Sequence, residues 1–164
     1  MSTSPSQKTL LLVDDDPDIR EQMRWGLTAT YHILEAENRE VALALQRSHH
    51  PELVCLDLGL PPSQDGVSEG LAALDGLLKA DPFVKVVVIT GNSVRAAAVQ
   101  AVSRGAYDYI EKPVRLDILK VILERATHVR ALEQEGREAI AGQAGSAGTE
   151  LLGESPAMGK VFAA

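Results

Sequence analysis

From residue 9 to about residue 128, short apolar runs alternate with longer segments of helical period. Leu10-Leu11-Leu12-Val13 and Val86-Val87-Val88-Ile89 are apolar at every position. Such runs suit parallel strands covered on both faces rather than half-exposed antiparallel ones. The pattern predicts five strands, at Thr9–Val13, His32–Ala36, Leu53–Asp57, Lys85–Thr90 and Tyr107–Ile110. Helices are predicted between them. Pro17–Ala29 has Asp16 as its cap and Pro17 at the first helical position. Arg39–Arg47 follows the cap Asn38, and Ser68–Lys79 stops before Asp81-Pro82. Ser93–Arg104 ends at Gly105, and a fifth helix after Pro113 carries Leu116, Leu119, Ile122, Leu123, Ala126 and Val129 on one side. Five strand-then-helix units in series imply a doubly wound parallel sheet with helices on both faces and an extended last helix. The active crevice then belongs at the carboxyl ends of the strands.

The pattern also divides the chain. Residues 1–8 are polar and read as disordered, and 9–128 form the domain. Residues 129–150 read as a helical extension followed by a flexible linker, because Ala139–Thr149 is rich in Gly, Ala and Ser. Residues 151–164 turn apolar again, as the cut start of a further domain would.

Composition narrows the function classes. A net charge of −7 over 164 residues argues against electrostatic capture of nucleic acid. The apolar run at Leu10–Val13 is too short for a signal peptide or a membrane span, so neither membrane association nor export is expected. One cysteine allows no internal disulfide and fits a cytoplasmic location. Cys55, inside an apolar run, reads as a buried structural thiol. The four His show no metal-site spacing.

The chemistry lies in the polar residues at the strand ends. Asp14, Asp15 and Asp16 follow the first strand, Asp57 ends the third, Thr90 ends the fourth and Lys112 follows the fifth. Converging carboxylates repel one another, and a divalent cation with oxygen ligands, Mg²⁺ above all, relieves this while leaving room for phosphate. Lys112 offers a point charge and Thr90 a hydroxyl. An Asp carboxylate can attack phosphorus and form an acyl phosphate, needing no general base because it is ionised at neutral pH. Asp16 reads as a helix cap.

The segments Leu-Leu-Leu-Val-Asp-Asp-Asp-Pro (10–17), Leu-Val-Cys-Leu-Asp-Leu-Gly-Leu-Pro (53–61), Val-Val-Val-Ile-Thr-Gly (86–91) and Gly-Ala-Tyr-Asp-Tyr-Ile-Glu-Lys-Pro (105–113) together resemble bacterial response-regulator receivers. The resemblance implies a flavodoxin-like fold with strand order 2-1-3-4-5. It implies a phosphoacceptor, Asp57, charged by a sensor histidine kinase, in a domain that signals rather than acting as an enzyme. Asp14 and Asp15 would form the acidic pocket, Asp15 as a direct Mg²⁺ ligand and Asp14 largely through water, with Asp57 and the Gly59 carbonyl completing the set. Lys112 and Thr90 would serve the phosphoryl transfer. Thr90 and Tyr109 match the family's switch pair, and Lys112-Pro113 the position of a cis bond.

The segment Pro62–Gly70 is longer than the family's usual loop, which leaves the start of the third helix open. With Asp-Leu-Gly-Leu-Pro it resembles regulators tied to exopolysaccharide and PEP-CTERM protein-sorting systems. Leu-Leu-Gly-Glu-Ser-Pro-Ala-Met (151–158) resembles the opening of the AAA+ domain of NtrC-like sigma-54-dependent activators. The full-length protein would then engage DNA and sigma-54 RNA polymerase, and this chain, without a phosphate loop, would bind no ATP. A homodimer is expected through the last helix, on a seam of Leu119, Ile122, Ala126 and Val129.

Two other readings use the same residues. A haloacid-dehalogenase-like phosphatase would use Asp14-x-Asp16, Thr90 and Lys112, leaving Asp57 idle. A dimerisation scaffold would have no use for phosphorylation, which the intact acidic set argues against.

Overall fold

The computed structural model describes residues 7–60, 67–91 and 95–147. The chain divides into two units, Met1–Arg130 and Ala131–Ala164. The first holds β1 (Lys8–Val13), α1 (Pro17–Leu27), β2 (Tyr31–Ala36), α2 (Arg39–His49), β3 (Leu53–Asp57), α3 (Ser68–Ala80), β4 (Lys85–Thr90), α4 (Arg95–Arg104) and β5 (Asp108–Glu111), and α5 (Leu116–Ala147) begins in it. All strand pairings are parallel, and the order is β2-β1-β3-β4-β5, a flavodoxin-like doubly wound sheet.

Period-two alternation sorts the apolar strand residues onto two faces. Leu11, Val13, Val54, Leu56, Val86 and Val88 pack with Ala42 of α2, Leu71, Leu74 and Leu77 of α3, and Ala97 and Ala101 of α4. Leu10, Leu12, Leu53, Cys55, Val87 and Ile89 pack with Met23 and Leu27 of α1 and with Leu119, Ile122, Leu123 and Ala126 of α5. Because β1 leads to β2 on one side and is flanked by β3 on the other, the crevice opens at the carboxyl ends of β1 and β3.

The predicted caps are present. Asp16 accepts the Asp18 amide at 2.9 Å with Pro17 beginning α1, and Asn38 accepts the Val41 amide at 2.9 Å. Gly105 follows α4 at φ +122°, where a side chain would be strained. α1 ends at Leu27 rather than Ala29, since a turn from the Thr30 amide to the Leu27 carbonyl feeds Tyr31 into β2. Ser93 and Val94, the expected start of α4, lie outside the described residues.

Two expectations are corrected. α5 continues to Ala147, so most of the stretch read as a linker is helical. Ala139, Ala141, Ala144 and Ala147 offset Gly142 and Gly145, each of which costs about 1 kcal/mol against Ala. Leu119, Ile122 and Ala126, three of the four residues assigned to a dimer seam, are buried in the domain core. A stripe that covers a sheet has the same three- and four-residue spacing as a coiled-coil seam. The large apolar residues that α5 exposes within the first unit are Ile118 and Val121.

Candidate functional site

Four polar or charged residues are buried among those described: Asp14, Asp57, Thr90 and Gln46. The first three meet at the carboxyl end of the sheet. Asp14 follows β1, and its amide donates to the Ala36 carbonyl at 3.0 Å, continuing the ladder with β2. The β1–β3 register of Val13 against Leu56 sets Asp14 level with Asp57. Asp57 Oδ1 accepts the Gly59 amide at 3.0 Å, and Oδ2 accepts from Lys112 Nζ at 3.2 Å. The Lys112 amide donates to the Thr90 carbonyl at 2.8 Å, so the β4–β5 ladder places the lysine, and Lys112-Pro113 is cis as the resemblance implied.

One oxygen each from Asp14, Asp15 and Asp57 lies within 4.8 Å of the others. Two unit charges at that separation cost about 3 kcal/mol at an effective dielectric near 20. Burial first, then repulsion from Asp57 and Asp15, pushes the Asp14 carboxyl up to about 7, against the opposing Asp16 amide and Lys112. Asp14 Oδ1 accepts the Asp16 amide at 2.9 Å, while Oδ2 is buried with no hydrogen-bond partner. Asp15 is exposed at the rim. A set of hard oxygen donors with one unpaired oxygen on Asp14 fits a divalent cation of the Mg²⁺ type.

Thr90 Oγ1 is likewise buried without a partner. A buried polar group left unmade costs about 1–3 kcal/mol, so this hydroxyl suits a ligand that supplies an acceptor. Tyr109 stands one strand over, paired with Val88, and packs half-buried against the α2/α3/α4 core. Asp16 turns away to cap α1. That geometry, with Asp57 at the centre, gives no support to the phosphatase reading, which needed Asp16 in the site and left Asp57 unused.

Two features escaped the sequence reading. Gly70 lets α3 lie against the chain just after Asp57: a Cβ there would sit 2.3 Å from the Leu58 carbonyl oxygen. Arg20 of α1 donates to the Asp14 carbonyl and pairs with Glu35 at 3.0 Å. On sequence alone both charges look like ordinary surface residues, and no spacing marks them as partners.

The family model described as response regulator receiver domain matches residues 10–124. The chain is 40% identical over 135 residues to the nitrogen assimilation regulatory protein NtrX of Azorhizobium caulinodans, covering 79% of this chain and 28% of the relative. It is 34% identical over 160 residues to the C4-dicarboxylate transport transcriptional regulatory protein DctD of Rhizobium meliloti, covering 96% and 33%. The crystal structure of the receiver domain of NtrX from Brucella abortus matches with a TM-score of 0.66 and 40% identity, over 71% of this chain and 96% of that one. The chain thus spans about a third or less of the length of these curated relatives. Among the described residues, no helix is long and apolar enough to cross a membrane.

Proposed function

This chain belongs to the response regulator receiver domain family, and from that premise we propose that it is switched by phosphorylation of Asp57. Receiver domains of this kind are signalling domains rather than classical enzymes. The observation that carries the reading is Asp57 itself, buried at the centre of the acidic cluster with Lys112 on one oxygen and the Gly59 amide on the other.

In the transfer, an Asp57 carboxylate oxygen forms a bond to phosphorus. The bond from phosphorus to the donor breaks; for a phosphohistidine on a sensor kinase, the imidazole leaves with the electron pair. Lys112 exchanges its contact with Asp57 for one with a phosphoryl oxygen, and Thr90 Oγ1 donates to another. Asp14, Asp15, Asp57 and the Gly59 carbonyl would hold Mg²⁺, which supplies charge neutralisation for the transferring group. Thr90 drawn toward the phosphoryl group leaves space that Tyr109 can fill, which makes these two the switch pair. The cleft of about 290 Å³ lined by Ile19, Gln22, Met23, Lys112, Pro113, Val114 and Leu116 gives a donor protein an apolar foothold beside the site.

The output rests on the relatives and the sequence. NtrX- and DctD-like relatives, with the Gly-Glu-Ser-Pro-Ala-Met string outside the described residues, support coupling to a sigma-54-dependent activator acting with DNA and RNA polymerase. The exopolysaccharide and PEP-CTERM subgroup rests on the Asp-Leu-Gly-Leu-Pro variant and its loop alone. Dimerisation through α5 is retained on a corrected face. Ile118 and Val121, with Val99 and Val102 of α4, are exposed apolar residues that this dimer would use.

The test is to incubate the chain with acetyl phosphate and Mg²⁺ and weigh it intact. One phosphoryl increment is expected. It should vanish with a chelator or in Asp57→Asn, and undiminished labelling of that variant overturns the reading.

A further inference from the structure

We infer that Arg20 is a positioning residue for the acidic pocket, setting the direction in which Asp14 and Asp15 present their carboxylates. The inference rests on the proposed cation-dependent role of that pocket. Arg20 lies in the first turns of α1, its amide bonded to the Asp16 carbonyl at 3.1 Å. Its side chain is only 15% exposed, unusual for an arginine on an outer helix. The guanidinium divides between two acceptors. One nitrogen donates to the backbone carbonyl of Asp14, and Nε donates to Glu35 Oε1 at 3.0 Å.

The carbonyl is the informative contact. The Asp14 C=O and the Asp15 N–H share one rigid peptide plane. Fixing that oxygen fixes the rotation of the plane, and with it the directions from which both side chains leave the chain. The other side of Asp14 is already tied, since its amide bonds to Ala36 in β2. Glu35, which orients Arg20, is the residue before Ala36, so α1 and β2 hold Asp14 from both ends.

Glu35 answers the charge problem that a guanidinium beside a cation site would raise. Burial alone would lift its carboxyl, but the hydrogen bonds from Arg24 and Arg20 hold it below the ordinary carboxylate range. It therefore stays ionised and, shared with Arg24, offsets part of the Arg20 charge. Arg24 reaches the same carboxylate at 2.7 Å without touching Asp14, which makes it the matched control.

The experiment compares Arg20→Met, Arg20→Lys and Arg24→Met in the whole chain by two readouts. One is Mg²⁺ affinity by calorimetry, and the other is the amide resonance of Asp15 in chelator-treated protein. Arg20→Met is expected to weaken Mg²⁺ binding about ten-fold, the usual effect of losing an outer partner of a ligand. It should also move the Asp15 resonance, with partial recovery of both in Arg20→Lys. Arg24→Met, which loses a bond to the same glutamate, should leave both readouts unchanged. If Arg20→Met does not fold, Glu35→Gln is read in its place and should move the same resonance. An unmoved Asp15 resonance in the Arg20→Met chain, or an equal effect from Arg24→Met, overturns the inference. Absence of Mg²⁺ binding by the unaltered chain would count against the proposed function, while the resonance still decides the role of Arg20.

Discussion

Asp14→Asn should stabilise the metal-free protein at pH 8 while removing its affinity for Mg²⁺. The substitution keeps shape and the acceptor for the Asp16 amide, so what it deletes is a buried charge. The Asp14 carboxyl lies near 7 against an ordinary 3.8, raised first by burial and then by its acidic neighbours. A rise of that size corresponds to about 4 kcal/mol when the group is fully ionised. Screening on the side of exposed Asp15 reduces the expectation to about 2 kcal/mol. The sign follows from proton counts. Between pH 4 and 7 the folded chain holds a proton at Asp14 that the unfolded chain has released. This contribution is therefore complete below pH 4 and lost as pH rises through 7. The carboxamide of the variant has no such proton to lose, so its advantage grows with pH. Thermal unfolding with a chelator should give a Tm about 6–10 °C higher for the variant at pH 8, for a domain of this size, and little difference at pH 4. Mg²⁺ should then raise the parent and leave the variant unmoved. A variant less stable than the parent at pH 8 without metal would refute the claim that the pocket is held under charge strain.

Gly70→Ala places a methyl 2.3 Å from the Leu58 carbonyl oxygen, and overpacking against backbone should cost about 1–3 kcal/mol by chemical denaturation, with slower phosphorylation because Leu58 leads to Gly59. Burial pushes the Cys55 thiol up to about 12, so iodoacetamide at pH 8 should modify it only in denaturant, and alkylation of the native protein would contradict the core assignment. Val121→Glu should weaken self-association in sedimentation, with and without a phosphate mimic, and leave Tm unchanged. A monomeric parent in both states would place the dimer contacts elsewhere in the full-length protein.

The site was readable because its residues are tied to strand ends. A fully apolar strand fixes where the chain leaves the sheet, and Asp14, Asp57 and Thr90 stand at those exits, with Lys112 just beyond β5. Which stripe of α5 faces inward was not readable: Leu119, Ile122 and Ala126 recur as a seam would, and only the sheet beneath them shows that they are core. No sequence signal marked Gly70 as a close-packing position, which only the Leu58 backbone lying against it reveals. Arg20 and Glu35 meet only because β2 pairs with β1 beside α1, a contact between residues far apart in the chain with no sequence pattern of its own. The helix through Gly142 and Gly145 reflects alanine propensity outweighing glycine punctuation.

Among several acidic residues crowded at one end of the sheet, Asp57 is the group proposed to take the phosphoryl. Treating the acetyl-phosphate-charged protein with borohydride reduces an aspartyl phosphate to homoserine, and tandem mass spectrometry then reads the position. Homoserine at residue 57 alone is the expected result. Homoserine at Asp14 or Asp15, or none at residue 57 in a protein that has gained a phosphoryl group, would contradict the account.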